Sequence, residues 1–263
     1  MGSIRFENVD KVFAGTGGVK ALEDINLSIA EKEFVAIVGP SGCGKTTCLR
    51  MVAGFEMPTA GIVSVNGKAV TSPGPDRAVV FQQFALFPWK TVRENLDIGL
   101  RNKSLAKPER DRLIADALKL MNLESHTDAY PHQLSGGMQQ RVAIARAYVL
   151  DPEVLLMDEP FGALDAQTRV VMQEELVRLA RVNPRTVLFI THAVEEAVYL
   201  ADRVAVMTRR PGRIKEILDI RSVRERDNWD RFSRIEDVMD QESFVQLRTQ
   251  IWKSLREEKA IQA

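Results

Sequence analysis

The sequence is poor in cysteine and histidine and contains no long apolar run. Its two cysteines, Cys43 and Cys48, are too few for a disulfide framework and suit a reducing compartment. Together with only three histidines, they do not offer the ligands that a structural zinc site needs. No run approaches the roughly 18 apolar residues of a membrane-spanning helix, and residues 1–5 hold no apolar signal core. We therefore expect a soluble cytoplasmic protein.

The sequence also lacks an excess of either charge. It has 36 basic and 36 acidic residues, so its net charge gives no electrostatic reason to expect nucleic acid or an anionic membrane as a partner. A hydrophobic content of 45% is ordinary for a globular protein, and 263 residues can bury a substantial core. Composition thus argues against a disulfide-rich, zinc-stabilised or membrane-spanning protein, and the function has to be inferred from the motifs.

A glycine-rich stretch at residues 39–47 lies between an apolar run, 34–38, and a helical segment, 46–53. A Gly-x-x-x-x-Gly-Lys-Thr pattern between a strand and a helix predicts a phosphate cradle, because the backbone amides can curl round an anion. We expect Lys45 to reach the β- and γ-phosphates of a nucleotide and the Thr46 hydroxyl to ligate Mg²⁺. The other expected nucleotide-binding residues of the cradle are Gly39, Ser41, Gly42, Cys43, Gly44 and Thr47. The alternative is a glycine-rich turn that binds nothing, and the flanking strand and helix favour nucleotide binding.

Apolar runs and helical patterns alternate along the rest of the chain. Segments 154–157 and 186–190 are typical of buried strands, whereas 91–148 has helical periodicity with few β-branched runs. Phe244, Leu247, Ile251 and Leu255 recur at helical spacing and predict an amphipathic helix in the tail. The alternation predicts an α/β fold with a mainly parallel sheet, helices on its faces and an inserted helical portion.

Two consecutive carboxylates, Asp158 and Glu159, follow the apolar run 154–157. Beside a phosphate cradle, Asp158 would hold Mg²⁺ or its waters, and Glu159 could polarise an attacking water. Without the cradle, an acidic turn after a core strand would be the better interpretation.

A second anion site is predicted at Ser135, Gly136 and Gly137. Ser135 is a good helix N-cap, and the two glycines leave the amides of the first turn uncovered. One nucleotide hardly needs two such sites in one chain. Two copies paired head to tail would bring the cradle of one to the Ser135 turn of the other, with two ATP molecules between them.

These motifs, in this order, resemble the nucleotide-binding subunit of an ATP-binding cassette (ABC) transporter over residues 4–220. The resemblance implies a P-loop NTPase fold with a RecA-like, mainly parallel sheet, an N-terminal antiparallel β portion and an inserted α-helical subdomain. It implies an ATP-binding core at 1–90 and 150–220, a helical signature subdomain at 91–149 and a helical tail at 221–263. ATP and Mg²⁺ would be its cofactors.

Further roles come only from the resemblance. Gln82 resembles the loop glutamine that touches the metal and the attacking water, and His192 resembles the switch histidine that contacts the γ-phosphate and holds Glu159. Asp165 lies in the loop that communicates across the dimer. Phe13 could stack on a purine or pack in the core, and the resemblance favours stacking on adenine. Ala193 departs from the family, which often has Asp after the switch histidine.

The stretch 84–92 is unusually apolar and aromatic for a loop, which suits a groove for a short helix of a membrane partner. The Leu-Phe-Pro-Trp sequence at 86–89, together with the sequence at 209–214, is similar to that of bacterial importers of the nitrate, sulfonate and taurine class. The implied partners are a second copy or a homologous cassette, permease subunits and a solute-binding protein, at the cytoplasmic face of the inner membrane. A soluble ABC-type ATPase acting on nucleic acid or ribosomes, and an exporter cassette, remain alternatives. We further expect Cys43 to be alkylated in the empty protein and shielded by ATP.

Overall fold

The computed structural model describes residues 2–14, 18–232 and 234–260, so most of the glycine-rich loop at 14–18 and the last three residues of the tail lie outside the described part. The strands are β1 (Ile4–Phe13), β2 (Val19–Ile29), β3 (Phe34–Val38), β4 (Ala60–Val65), β5 (Lys68–Ala69), β6 (Arg77–Val80), β7 (Val154–Asp158), β8 (Thr186–Ile190), β9 (Arg203–Met207) and β10 (Ile214–Asp219). The helices are α1 (Lys45–Ala53), α2 (Val92–Leu100), α3 (Lys107–Leu120), α4 (Gly136–Tyr148), α5 (Ala166–Val182), α6 (Val194–Leu200), α7 (Arg221–Arg226), α8 (Ile235–Met239) and α9 (Glu242–Ala260).

A six-stranded sheet in the order β10-β9-β3-β8-β7-β6 carries the core. Its strands are parallel except β10, which pairs antiparallel with β9 at one edge. All five residues of β3 and of β8 are buried, as expected for strands covered by helices on both faces. Because the strands are parallel, the segments that follow β3, β7 and β8 all leave from one edge of the sheet.

The N-terminal strands form a separate antiparallel sheet in the order β2-β1-β4-β5. Ile4, Phe6 and Val9 of β1 point into the core that this sheet shares with α1, whereas the residues between them are mostly exposed. The register of β1 against β2 shifts three times, so β1 is bent along its length. The expected antiparallel portion is thus present.

Helices α2, α3 and α4 form the inserted helical portion. Thr91 starts α2 with a capping box, in which its hydroxyl accepts from the Glu94 amide and the Glu94 carboxylate accepts from the Thr91 amide. Pro108 lies in the first turn of α3, where the missing N–H costs nothing. The subdomain boundaries 91–149 stay a prediction.

The tail packs on the core of the six-stranded sheet. Phe244 and Ile251 of α9 are fully buried, and Leu247 and Leu255 are partly buried against the same core, as the helical spacing predicts. Trp229 packs on Phe244 with ring centroids 5.7 Å apart. Within the described residues, no helix is both long and apolar enough to cross a bilayer.

Strand β6 ends at Val80. Phe81 leaves the strand and stacks on Phe55 with a centroid separation of 6.5 Å, and its side chain stays partly exposed. Gln82 therefore lies in the loop beyond the sheet edge.

Candidate functional site

The loop between β3 and α1 has the backbone shape that a phosphate cradle requires. Gly42 and Gly44 have φ of 76° and 104°, a region that favours glycine. A Cβ on Gly44 would lie 2.4 Å from Leu22 Cδ2, so any other residue here would also have to displace the Leu22 side chain of β2. Gly44 precedes α1 without a side-chain cap, which leaves the first amides of this helix available to an anion.

The Lys45 side chain lies folded over this loop. Its Nζ donates to the carbonyls of Gly39, at 2.8 Å, and Pro40, at 3.1 Å. Only 6% of Lys45 is exposed, so its ammonium depends on these carbonyls for solvation. A phosphate in the loop would offer this ammonium a charged acceptor. The cleft beside the loop is lined by Gly39, Pro40, Ser41, Gly42, His192, Arg209, Arg210, Trp252 and Leu255.

Cys43 does not have the accessibility that the sequence suggests. Its side chain is 1% exposed, and burial raises the pKa of its thiol. Since the thiolate is the reactive form, ready alkylation in the empty protein is a wrong expectation. The sulfur instead faces the core beneath the cradle, where a Cβ added to Gly39 would lie 2.8 Å from it.

Thr46 and Asp158 meet at the sheet edge. The Thr46 hydroxyl donates to Asp158 Oδ1 at 3.1 Å, although 112 residues separate them in sequence. Burial raises the pKa of Asp158, the Thr46 hydrogen bond opposes this shift, and the nearby Glu159 carboxylate adds to it. A hydroxyl and a carboxylate oxygen are ligands that suit Mg²⁺. Among the described residues, no group of three or more His, Cys, Asp or Glu could hold a metal ion.

Glu159 gathers the other predicted catalytic residues. Its carboxylate Oε2 lies 3.1 Å from His192 Nδ1 and 3.5 Å from Gln82 Nε2. Glu159 has φ of 46°, and its amide donates to the Ile190 carbonyl at 2.9 Å, which turns the chain at the end of β7. Such a sparsely populated backbone conformation costs about 1–3 kcal/mol in a residue other than glycine and is common at functional sites. Two predicted site residues, His192 and Gln82, thus meet at one carboxylate oxygen of the third, Glu159.

The turn that carries His192 is held by residues that the motifs did not indicate. The Thr191 hydroxyl donates to Glu196 Oε2 at 2.6 Å and accepts from the Ala193 amide at 3.0 Å. Glu196 is buried, and burial raises its pKa, with the hydrogen bond from Thr191 opposing the shift. Arg169 Nε lies 3.8 Å from Glu196 Oε1. Glu196 lies four residues before Leu200, on the buried face of α6. Because residues four apart share one face of a helix, this spacing could have indicated from the sequence that Glu196 is buried.

Ser135 begins α4 as predicted, with its Oγ accepting from the Met138 amide at 3.3 Å. A Cβ on Gly137 would lie 2.4 Å from Thr168 Cγ2, so glycine lets α4 approach α5 here. Ser135 and Gly137 line a separate depression and are not among the residues that line the cleft beside the loop 39–47. Within one chain, the two predicted anion sites therefore do not form one pocket.

Asp165 and Phe13 lie at the ends of their elements. Asp165 caps α5: its carboxylate accepts from the Thr168 amide at 3.0 Å and from the Thr168 hydroxyl at 2.7 Å, and these bonds lower its pKa. Phe13 ends β1 with 38% of its surface exposed, and Lys11 Nζ lies 4.9 Å from the ring centroid. Phe13 is not among the residues that line the cleft beside the loop 39–47.

Comparison with known proteins gives consistent matches. The profile of the ABC transporter family matches residues 22–162. The chain is 43% identical over 263 residues to the bicarbonate transport ATP-binding protein of Synechococcus elongatus, covering 98% of this chain and 39% of that longer protein. It is 48% identical over 218 residues to the nitrate import ATP-binding protein of Synechocystis, covering 82% of each. A dimeric ATP-binding cassette in a post-hydrolysis state, bound to ADP and Pi, matches with a TM-score of 0.72 and 33% identity, covering 82% of this chain and 98% of that chain.

The family profile spans more than half of this chain, and the matched structure has the same arrangement of an antiparallel sheet beside a mainly parallel one. The predicted fold class and the resemblance on which it partly depended are confirmed. The chain belongs to the ABC transporter family, as one of its ATP-binding subunits that hydrolyse ATP to energise transport.

Proposed function

We propose that this chain energises the import of a small anion, nitrate or bicarbonate or a close analogue such as a sulfonate or taurine, through a separate membrane permease. The observation that carries the proposal is the identity of 43% and 48% to ATP-binding proteins of bicarbonate and nitrate transport, over 98% and 82% of this chain. The protein would act at the cytoplasmic face of the inner membrane, beside a permease and a solute-binding protein.

In the proposed working form, two cassettes pair head to tail, and each ATP is held by both. Lys45 and the amides of the loop 39–47 would bind the phosphates from one side, and Ser135, Gly136 and Gly137 of the second cassette would close the site. The separation of the two anion sites within one chain supports this, because they line two different depressions. Asp165 would face the dimer interface, and Phe13 would stack on adenine.

For hydrolysis, Glu159 would polarise the attacking water, and His192 and Gln82 would hold its carboxylate in position. The distances of 3.1 and 3.5 Å from Glu159 Oε2 support this assignment. Thr46, Asp158 and Gln82 would hold Mg²⁺, which supplies positive charge to the phosphate oxygens when it is bound. The adjacent oxygens of Thr46 and Asp158 fit such a site.

The apolar loop at 84–89 would contact the permease. Trp89 is 70% exposed and Phe87 packs beside it, with ring centroids 5.9 Å apart. A large exposed aromatic side chain on an ordered loop is typical of a protein interface. Arg146 of α4 supports this loop by donating to the carbonyls of Ala85, at 2.8 Å, and Phe84, at 3.2 Å.

The test is uptake of labelled solute by membrane vesicles that carry this chain with the permease and solute-binding protein encoded beside it. We expect ATP-dependent accumulation of labelled nitrate or bicarbonate in the import direction, and none with the Lys45→Ala variant. Transport in the opposite direction would contradict the importer assignment. Failure to co-purify with any integral-membrane protein would contradict the transporter subunit proposal itself.

A further inference from the structure

A cavity of about 340 Å³, here called the tail pocket, lies where the tail meets the catalytic core. Phe34 of β3, Leu200 of α6 and Trp229 of the tail line it, and each is at most 5% exposed. The volume falls at the lower end of the roughly 300–1,000 Å³ typical of small-molecule sites. None of the predicted ATP-binding or catalytic residues lines this cavity. The tail pocket is therefore distinct from the nucleotide site.

Basic residues outnumber acidic ones around the tail pocket, five against three. One carboxylate, Asp202, serves two guanidinium groups: Arg221 Nη2 donates to its Oδ2 at 2.7 Å, and Arg224 Nη1 lies 3.6 Å from its Oδ1. The Phe34 amide also donates to Asp202, at 2.8 Å. Arg224 is poorly solvated, and burial lowers its pKa. Counting also Asp151, which pairs with Arg185, the basic groups exceed the carboxylates by one, and this balance favours a negatively charged ligand.

Two cationic side chains at the tail pocket have unused donors. Lys32 lines the cavity, and its ammonium makes no ion pair or hydrogen bond within the described part of the chain. Arg185 pairs with Asp151 through Nη2, but its Nε is buried and has no hydrogen-bond partner among the described residues. The Lys32 ammonium would gain a charge-assisted hydrogen bond from an anionic acceptor placed at the rim of the cavity.

We propose that the tail pocket binds a small aromatic carboxylate, with its ring against Phe34 and Trp229 and its carboxylate at the basic rim. Flat apolar walls suit an aromatic ring, and guanidinium groups bind carboxylates through directed hydrogen bonds. The ligand would join the core to the tail. Helix α6 runs from the residues after His192 to Leu200 at the tail pocket, so it would contact both sites.

The test is isothermal titration of the full chain with benzoate, in saturating ADP so that the nucleotide cleft is occupied. Benzamide is the matched control, because it has the same ring without the charge. We expect benzoate to bind with a micromolar to millimolar Kd and benzamide to bind at least about tenfold more weakly, because the control lacks the charge-assisted hydrogen bond. Absence of benzoate binding, or equal binding of benzamide, would overturn the proposal.

Two variants locate the binding. Ala180→Phe places a ring in the cavity from α5 and should abolish benzoate binding while the ATPase rate is retained. Lys32→Gln, a mild change at an exposed position, should weaken binding about tenfold, whereas Lys68→Gln on β5 should leave it unchanged. Equal weakening by the Lys32 and Lys68 variants, or full binding by the folded Ala180 variant, would show that benzoate binds elsewhere and would refute the site.

Discussion

The conformation of the loop that we assign to the permease depends on one buried amide, that of Asn95. This side chain in α2 is 0% exposed. Its Oδ1 accepts from the Phe87 amide at 2.9 Å, and its Nδ2 lies 3.2, 3.1 and 2.9 Å from the carbonyls of Phe87, Lys90 and Thr91. Asn95→Ala would remove these contacts together and leave the loop backbone without replacements.

The cost of Asn95→Ala follows from the number of hydrogen bonds. One acceptor and two N–H donors make about three bonds, each contributing on the order of 1 kcal/mol net, and the buried groups left unpaired add to the loss. We therefore expect the free energy of unfolding to fall by about 3 kcal/mol. That loss is smaller than the roughly 5–15 kcal/mol of a typical domain, so the variant should still fold.

Two assays test this reasoning. Urea unfolding should show the loss of about 3 kcal/mol in Asn95→Ala, and the exposed Asn102→Ala in the same helical portion should change stability little. The isolated Asn95→Ala subunit should retain its basal ATPase rate, since Glu159 and Lys45 are untouched, but should lose stimulation by the permease. A loss of stability no larger than in Asn102→Ala, or full stimulation by the permease, would refute the reasoning.

Three further predictions concern the catalytic edge of the sheet. Glu159→Gln should still bind ATP but hydrolyse almost none, and gel filtration should show a longer-lived dimer; wild-type turnover would reject Glu159 as the group that polarises water. Cys43 should react with N-ethylmaleimide far more slowly than a free thiol, with or without ATP, and a rate like that of free cysteine would contradict its burial. Because burial raises the pKa of Glu196 above its unfolded value, the folded state keeps its proton to higher pH, and the free energy of unfolding falls as pH rises above about 4.5. Glu196→Gln should flatten that slope in urea unfolding, and an unchanged slope would contradict this origin.

Much of the sheet edge that carries Lys45, Glu159 and His192 could be predicted from the sequence, because the backbone of the strands and loops places these residues. The glycine spacing of 39–47 requires a particular loop, and the apolar runs that end at Asp158 and Thr191 identify two strands. Since β7 and β8 are adjacent and parallel, the residues that follow them meet at the same edge, as Glu159 and His192 do. Sequence patterns describe such arrangements well because strand pairing and turn geometry follow local rules.

The features that could not be predicted depend on where side chains point. Nothing in the sequence shows that Cys43 faces the core rather than the phosphate, or that Asn95 reaches back to the loop before α2. The tail pocket depends on residues from the core and the tail, such as Phe34 and Trp229, which line one cavity only because distant segments pack together. Tertiary contacts of this kind have no local sequence signature.

Helix α4 gives a physical reason why ATP binding and contact with the permease could be linked. Its first turn, next to Ser135, holds the amides that we assign to the nucleotide of the second cassette, and Arg146 lies near its other end. The Arg146 guanidinium binds the carbonyls of Phe84 and Ala85 and lies 5.8 Å from the ring centroid of Phe87. Eleven residues of helix span roughly 16 Å. Because a helix of this length moves as a nearly rigid body, a shift of the Ser135 end on binding nucleotide must also move the loop at 84–89, unless the Arg146 contacts break.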